Sequence, residues 1–242
     1  MAPIRRGDGT GLTPKGYTEV RKGDRTVLWS AIPDSGDLHA HWDATQLSLD
    51  DGDAVTTWDD PVGDNDATGN ATYRTGQISG NAVVRFDGTD DYLDVVGDTL
   101  SQPYHVFVVA EHAGLGTSNQ ELIDGGDDSD RAILQFDGGD DRWYAGTPDG
   151  NLMGGGNPDT DSHLFTFLID GSNSYFRIDG AQVNTKDVPG KFNLISIGAR
   201  SDNTQNFDGD IGEISIHDTA LSNSDESEWE SYLADKWGIT LA

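Results

Sequence analysis

Apolar residues alternate with polar ones along most of this chain, the period expected of half-buried β-strands. Runs of this kind fall at 38–42, 54–58, 82–86, 92–96, 104–111, 119–124, 131–136, 141–145, 163–169, 174–179, 192–198 and 211–217. Val106-Phe-Val-Val-Ala110 and Leu164-Phe-Thr-Phe-Leu-Ile169 are continuously apolar, as central strands are. Phe86, Ile123, Phe136, Ile169, Ile178 and Phe207 each precede Asp-Gly, so strand after strand runs into a tight turn. The period changes once. Trp229, Tyr232, Leu233 and Trp237 recur at spacings of three and four behind the capping residues Ser222 or Ser224, and Gly238 ends the run, which predicts one helix. The expected fold is all-β: a two-sheet antiparallel jelly roll closed by a short C-terminal helix.

The first thirty-three residues read differently. Ile4-Arg-Arg-Gly-Asp-Gly-Thr-Gly-Leu12 and Val20-Arg-Lys-Gly-Asp-Arg-Thr-Val-Leu28 repeat one pattern, each copy a turn between short strands. Two copies are too few to bury a core alone. The arm is also basic: Arg5, Arg6, Lys15, Arg21, Lys22 and Arg25 face three acidic residues within 1–30. We therefore divide the chain into an anchoring arm, 1–33, and a body, 38–242, joined through Pro33-Asp-Ser-Gly36. Arg5, Arg6, Arg21, Lys22 and Arg25 are the expected anchoring residues, on an acidic protein partner or on further copies of the chain in a homo-oligomer. Acidic interruptions and sparse aromatics speak against nucleic acid.

Composition adds an environment. The net charge is −28, from 43 acidic against 15 basic residues. Thirty-six of the acids are Asp, and only five lysines are present. Such charge destabilises a compact state in dilute buffer, whereas near 1 M salt the screening length falls to about 3 Å. This is the balance of a protein built for high salt. No apolar stretch is long enough to cross a membrane, so no membrane insertion is expected. Met1-Ala-Pro-Ile-Arg-Arg-Gly has no hydrophobic core after its charges, so no export signal is expected either.

Candidate chemistry is thin. Asp124, Asp127, Asp128 and Asp130 offer carboxylates among glycines, ligands that suit calcium. Asp140, Asp141, Trp143 and Tyr144, beside the glycine-rich stretch 146–157, combine aromatic faces with carboxylates as sugar recognition requires; a hairpin with Trp143 in the core is the equal alternative. Asn70-Ala-Thr72 is a glycosylation sequon. His39 and His41 would share a strand face, either as ligands or as packing.

Two segments carry a family resemblance. Asp43-Ala-Thr-Gln-Leu through Trp58, then Asn81-Ala-Val-Val-Arg-Phe-Asp-Gly-Thr-Asp-Asp-Tyr-Leu93, resemble the opening of laminin G-like domains of the concanavalin A-like lectin/glucanase superfamily. Phe207-Asp-Gly-Asp-Ile-Gly-Glu-Ile-Ser-Ile-His217 and the helix after it are similar to the closing strand and terminal helix. The resemblance implies a concanavalin A-like sandwich, glycan binding, and in some members calcium at the rim, so calcium is a cofactor the fold tolerates but does not require. The family's glucanases carry Glu-x-Asp-x-x-Glu, which is absent here; no enzyme is expected. Together these readings predict a non-enzymatic protein of a halophilic virion surface, made in the host cytoplasm. Its arm would hold other virion proteins, and its body would bind host-surface glycan. A cellular secreted lectin-like module is the alternative, and a glycan hydrolase the third reading.

Overall fold

The structure, a computed structural model, describes residues 32–33, 38–63, 65–97, 99–114, 116–126, 131, 133–147 and 151–242, with the backbone of 20–21 and 27–29. In the arm, β1 (Val20–Arg21) and β2 (Val27–Trp29) pair antiparallel; the residues between them, the expected turn of the second repeat, and the first repeat lie outside the described residues. The body forms one continuous antiparallel sheet of fifteen strands. They are β3 (Leu38–Asp43), β4 (Ala54–Trp58), β5 (Ala67–Arg74), β6 (Val83–Asp87), β7 (Tyr92–Val95), β8 (Tyr104–His112), β9 (Gln120–Gly125) and β10 (Ile133–Asp137), followed by β11 (Arg142–Thr147), β12 (Asn151–Gly155), β13 (Ser162–Ile169), β14 (Tyr175–Ile178), β15 (Ala181–Thr185), β16 (Leu194–Ile197) and β17 (Asp208–His217).

The strand order β12-β11-β10-β9-β16-β7-β5-β6-β17-β8-β13-β14-β15, with β4 on β5 and β3 on β17, folds into two layers hinged at β6. The first layer runs from β12 to β5 and the second from β17 to β15. Their outer edges meet, where Asn184 Nδ2 donates to the Gly154 carbonyl at 2.7 Å. Between the layers lies the main core, including Trp42, Trp58, Phe86, Phe136, Trp143, Phe165 and Phe167. Each large side chain buried there contributes roughly 1.5–3 kcal/mol. The expected all-β sandwich is the observed fold.

Three strands escaped the pattern for a physical reason. β5 contains Gly69, where a Cβ would stand 2.3 Å from the Tyr92 carbonyl oxygen, so close strand approach has replaced side-chain alternation. β12, expected as part of a glycine-rich loop, is a strand because Gly154 admits the Tyr144 ring and Gly155 admits Val183. β15 is a half-exposed edge strand with little apolar content.

The helix α1 (Asn223–Trp237) covers the outer face of the second layer. The Ser222 side chain accepts from the Asp225 amide, Asp225 and Glu226 occupy the first turn, Lys236 the last, and Gly238 closes it in the left-handed conformation. Trp229, Leu233 and Trp237 pack on Val83, Phe107, Val109 and Leu164 as a second core, so both helix tryptophans are buried and present no face to a sugar. Trp237 lies over Gly212, at a bulge of β17, where a Cβ would come within 2.6 Å of the ring. Ile32 packs on the same cluster, a contact that reaches across from the expected arm. No helix among the described residues is long and apolar enough to cross a membrane.

Candidate functional site

Antiparallel partners that face each other directly share one side of a sheet. Across the first layer a single row runs Thr57–Thr68–Asp94–Ser196–Asp124–Ile133–Gly146, through β4, β5, β7, β16, β9, β10 and β11. It lies on the outer face, since Leu93, Ile197 and Leu134, one residue along, are in the main core. Two residues further on, Asn70 faces Tyr92 on that same side. No helix among the described residues covers this face. Thr57, Thr68, Asn70 and Asp94 are exposed and Tyr92 is half-buried, so hydroxyl, amide, carboxylate and ring stand together. Ser196, fully buried beside them, has a hydroxyl without a partner. Burial raises the Asp94 carboxyl above its ordinary value, and Asp91, which accepts from Asn70 Nδ2 at 2.7 Å, is raised by burial and by the charges of Asp87 and Asp90.

At the buried end of the row Arg131 joins two carboxylates. Its Nη2 donates to Glu121 Oε1 and Oε2 at 2.8 and 2.9 Å and its Nε to Asp124 Oδ1, while Asp124 Oδ2 accepts from the Ser201 amide at 2.7 Å. Burial and the Asp124 charge still push Glu121 up to about 7, against the opposing pull of Arg131.

The same device recurs. Arg85 forks onto Asp210 (2.7 and 2.6 Å), which faces Glu111 across β17 and β8. Arg177 Nη1 lies 2.9 Å from Glu226 and 3.6 Å from Glu230. Lys236 Nζ lies 2.7 Å from both Asp43 Oδ2 and Glu213 Oε2. Burial opposes ionisation of Glu213, but Lys236 and His41 outweigh it and draw its carboxyl down to about 2. The two remaining buried carboxylates among the described residues are held by amides. Asp60 accepts from the backbone of His41, Val62 and Gly63, and Asp91 is bonded to Asn70. In a chain with so few cations, Arg131, Arg177 and Lys236 each serve an internal carboxylate pair, and Arg85 serves Asp210.

The residues expected from sequence fall in several places. Trp143 is in the core, its ring centroid 4.6 Å from that of Phe165 and 5.7 Å from that of Phe136, so it cannot stack on a ligand; the hairpin alternative is correct. Tyr144 is half-buried and donates to Asp140 Oδ2 at 2.9 Å; Asp140 and Asp141 are exposed at the turn. Asp124 is buried and committed to Arg131, which removes it from a surface calcium site; Asp127, Asp128 and Asp130 lie outside the described residues. The acidic groups that do converge are Asp87, Asp90 and Asp91, with ligand atoms within 4.8 Å of one another, though exposed acids gather this way without a metal. Asn70 is exposed on β5. Arg5, Arg6, Lys22 and Arg25 lie outside the described residues, and Arg21 is placed in β1 by its backbone alone. His41 packs as expected of a structural histidine, its Nε2 2.7 Å from Glu213 Oε1.

Sequence reasoning missed Glu121, Arg131, Arg177, Lys236 and Glu213, which lies in the middle of β17. One signal was available. In a chain whose acids are nearly all Asp, five of the seven Glu are buried or half-buried beside a cation or another carboxylate.

Fold and site together define a lectin-like β-sandwich with one helix-covered and one open face. A laminin G-type family of the concanavalin A-like lectin/glucanases superfamily matches residues 87–225, more than half the sequence, and the chain belongs to it. No curated protein matches. Among solved structures, Trypanosoma rangeli sialidase with sialic acid is similar at 13% identity and TM-score 0.61, over 86% of this chain and 34% of the sialidase. The chain thus spans about a third of that enzyme's length. Domain 4 of AbnA, a GH43 extracellular arabinanase from Geobacillus stearothermophilus, solved with arabinotriose, is similar at 16% identity and TM-score 0.50, over 80% of this chain and 98% of the domain. Botulinum neurotoxin type C, which interacts with two ganglioside molecules to get into cells, is similar at 11% identity and TM-score 0.58, over 82% of this chain and 52% of the toxin. At these identities the likeness is one of fold.

Proposed function

We propose that this protein is a non-catalytic glycan-recognition module that binds sugar on the open face of its first layer. The observation that carries the reading is the row of exposed groups there. Thr57, Thr68, Asn70 and Asp94 supply donors and acceptors and Tyr92 an apolar ring. Sugar recognition uses these chemistries. Relatives of the same fold whose structures involve sialic acid, arabinotriose or gangliosides support it.

The non-catalytic part rests on the clamps. Retaining hydrolysis needs a free carboxylate and an acid about 5–5.5 Å apart. Among the described residues the buried pairs Glu121–Asp124, Asp43–Glu213 and Glu226–Glu230 each have a cation between them, and Arg85 engages the Asp210 that faces Glu111. We place the module on a virion surface in a high-salt environment, held by its basic arm. The net charge of −28 and the basic segment 1–30 support that placement.

A glycan array probed in concentrated KCl tests the function. Binding to a sugar class, lost in the paired variant Thr68→Ala with Asp94→Ala while its melt is unchanged, is expected. Binding that survives the pair would move the site elsewhere, and release of reducing sugar from a bound glycan would make the protein an enzyme.

A further inference from the structure

Lys236, Asp43 and Glu213 have the geometry of a reacting set as well as of an ion pair. The three come from α1, the end of β3 and the middle of β17, and Asp43 and Glu213 are register partners on one sheet face. Their side chains are 16%, 6% and 0% exposed. Lys236 Nζ lies 2.7 Å from Asp43 Oδ2 and 2.7 Å from Glu213 Oε2. The Trp237 and Tyr232 rings lie beneath the ammonium, with centroids 5.3 and 5.7 Å away, and limit water. The other oxygen, Asp43 Oδ1, accepts from the Thr45 amide at 3.0 Å and the Thr45 hydroxyl at 2.7 Å. Oδ1 is therefore held by two donors, while Oδ2 meets the amine and, at a longer 3.3 Å, Gln46 Nε2.

We propose that Lys236 and Asp43 condense into an intramolecular isopeptide bond, with Glu213 as the proton shuttle. Lys236 Nζ passes one proton to Glu213 Oε2, and its freed lone pair attacks Asp43 Cγ. Negative charge gathers on Oδ1, where the two Thr45 donors stabilise it. The proton on Glu213 and a second from the nitrogen go to Oδ2, which leaves as water as the C–Oδ2 bond breaks. Glu213 ends as the carboxylate it began as, and the remaining amide N–H faces its Oε2. One amine and one carboxylic acid become one amide and one water, with no oxidant, reductant or co-reactant.

Placement makes this feasible for a step that need happen only once per molecule. Fixed contact replaces a bimolecular encounter, and exclusion of water lowers the cost of passing from the ion pair to neutral groups. The ion pair is the resting state, because Lys236 is held protonated by Glu213 and Asp43 and Glu213 is held ionised. The condensation is consequently slow and follows folding. Its product ties α1 to β3 across nearly the whole body and leaves a ring of chain that unfolding cannot open.

Mass spectrometry of the intact, denatured full-length chain tests the proposal. Wild-type protein folded and aged in concentrated KCl should weigh one water less than its sequence, and Lys236→Arg should keep its full sequence mass. Asp43→Asn should expel ammonia instead and converge on the wild-type mass, and Glu213→Gln should keep its full mass. Tandem fragmentation should show a branched peptide joining residues 43 and 236. Wild-type protein at its full sequence mass would overturn the proposal whatever the variants do. So would a water loss that persists in Lys236→Arg, which would mark dehydration at one of the chain's Asp-Gly pairs.

Discussion

Replacing Arg131 by Met removes the cation between Glu121 and Asp124 and keeps the length of its stem. Both carboxylates are essentially without solvent contact, and three hydrogen bonds from the guanidinium disappear. Breaking one side of a buried pair costs about 3–5 kcal/mol, because a charge is left uncompensated. In a domain of this size each kcal/mol shifts the melting temperature by roughly 2–4 °C, so a loss of about 6–20 °C is expected at pH 7. The penalty depends on pH with a definite sign. Glu121 already has its folded value raised to about 7 from 4.5, and without Arg131, which pulls it down, it rises further. A carboxyl raised on folding is stabilising below its unfolded value, and that stability is lost as pH rises through the folded value. Glu121 is already largely protonated below pH 7 in wild type too, so the gap between variant and wild type should widen as pH rises from 7 toward 9, by up to about 1.4 kcal/mol per unit. Thermal melts followed by circular dichroism in concentrated KCl, across that range, measure this. The triple variant Arg131→Met, Glu121→Gln, Asp124→Asn should recover most of the loss at pH 7. A single variant melting within about 2 °C of wild type at pH 7 would refute the reasoning, because it would mean the buried acids do not need the cation.

Other outcomes follow from the same structure. The body's surface charge predicts a melting temperature that climbs steeply between about 0.1 M and 3 M KCl, and a flat response would remove the high-salt argument. His163, between Asp179 (2.7 Å) and Asp159 (2.9 Å), is raised to about 9 because these partners outweigh its burial; its stabilising contribution is complete below about pH 6.5 and lost as pH rises through 9, so melts of wild type and His163→Gln should converge above that value. Deleting 1–31 should leave the sandwich folded, while extending the cut through Ile32 should cost about 1 kcal/mol more, and failure of the shorter deletion to fold would make the arm part of the core. Treatment with EDTA should leave the melt unchanged, since every buried carboxylate among the described residues already has a protein donor; a large drop would show a structural cation.

The period-two pattern located most strands because their inward residues fill one core, as Val106, Val108 and Ala110 do on β8. It failed where glycine, not alternation, makes the strand, at Gly69, Gly154 and Gly155. The family segments marked both ends of the body, and the helix periodicity identified the right buried face. The site was less legible. Trp143 and Tyr144 are adjacent on one strand and must point to opposite faces, so only one could ever meet a ligand. The row from Thr57 to Asp124 is assembled from five strands that are neither consecutive nor evenly spaced, and register of that kind is set by bulges and crossovers the linear pattern does not record. The clamps are equally long-range: Arg85 meets Asp210, and Lys236 meets Asp43.

The claim that the open face of the first layer is a glycan site is tested most directly by titrating an array-identified oligosaccharide into the full-length protein in concentrated KCl, with heat as the readout. The face's exposed acids, Asp94 among them, favour a neutral sugar over an acidic one. Saturable binding of a neutral oligosaccharide, abolished in Thr68→Ala with Asp94→Ala and retained in a control variant on the helix-covered side such as Glu228→Ala, is the result expected. Equal affinity in both variants, or no heat with any oligosaccharide, would contradict it.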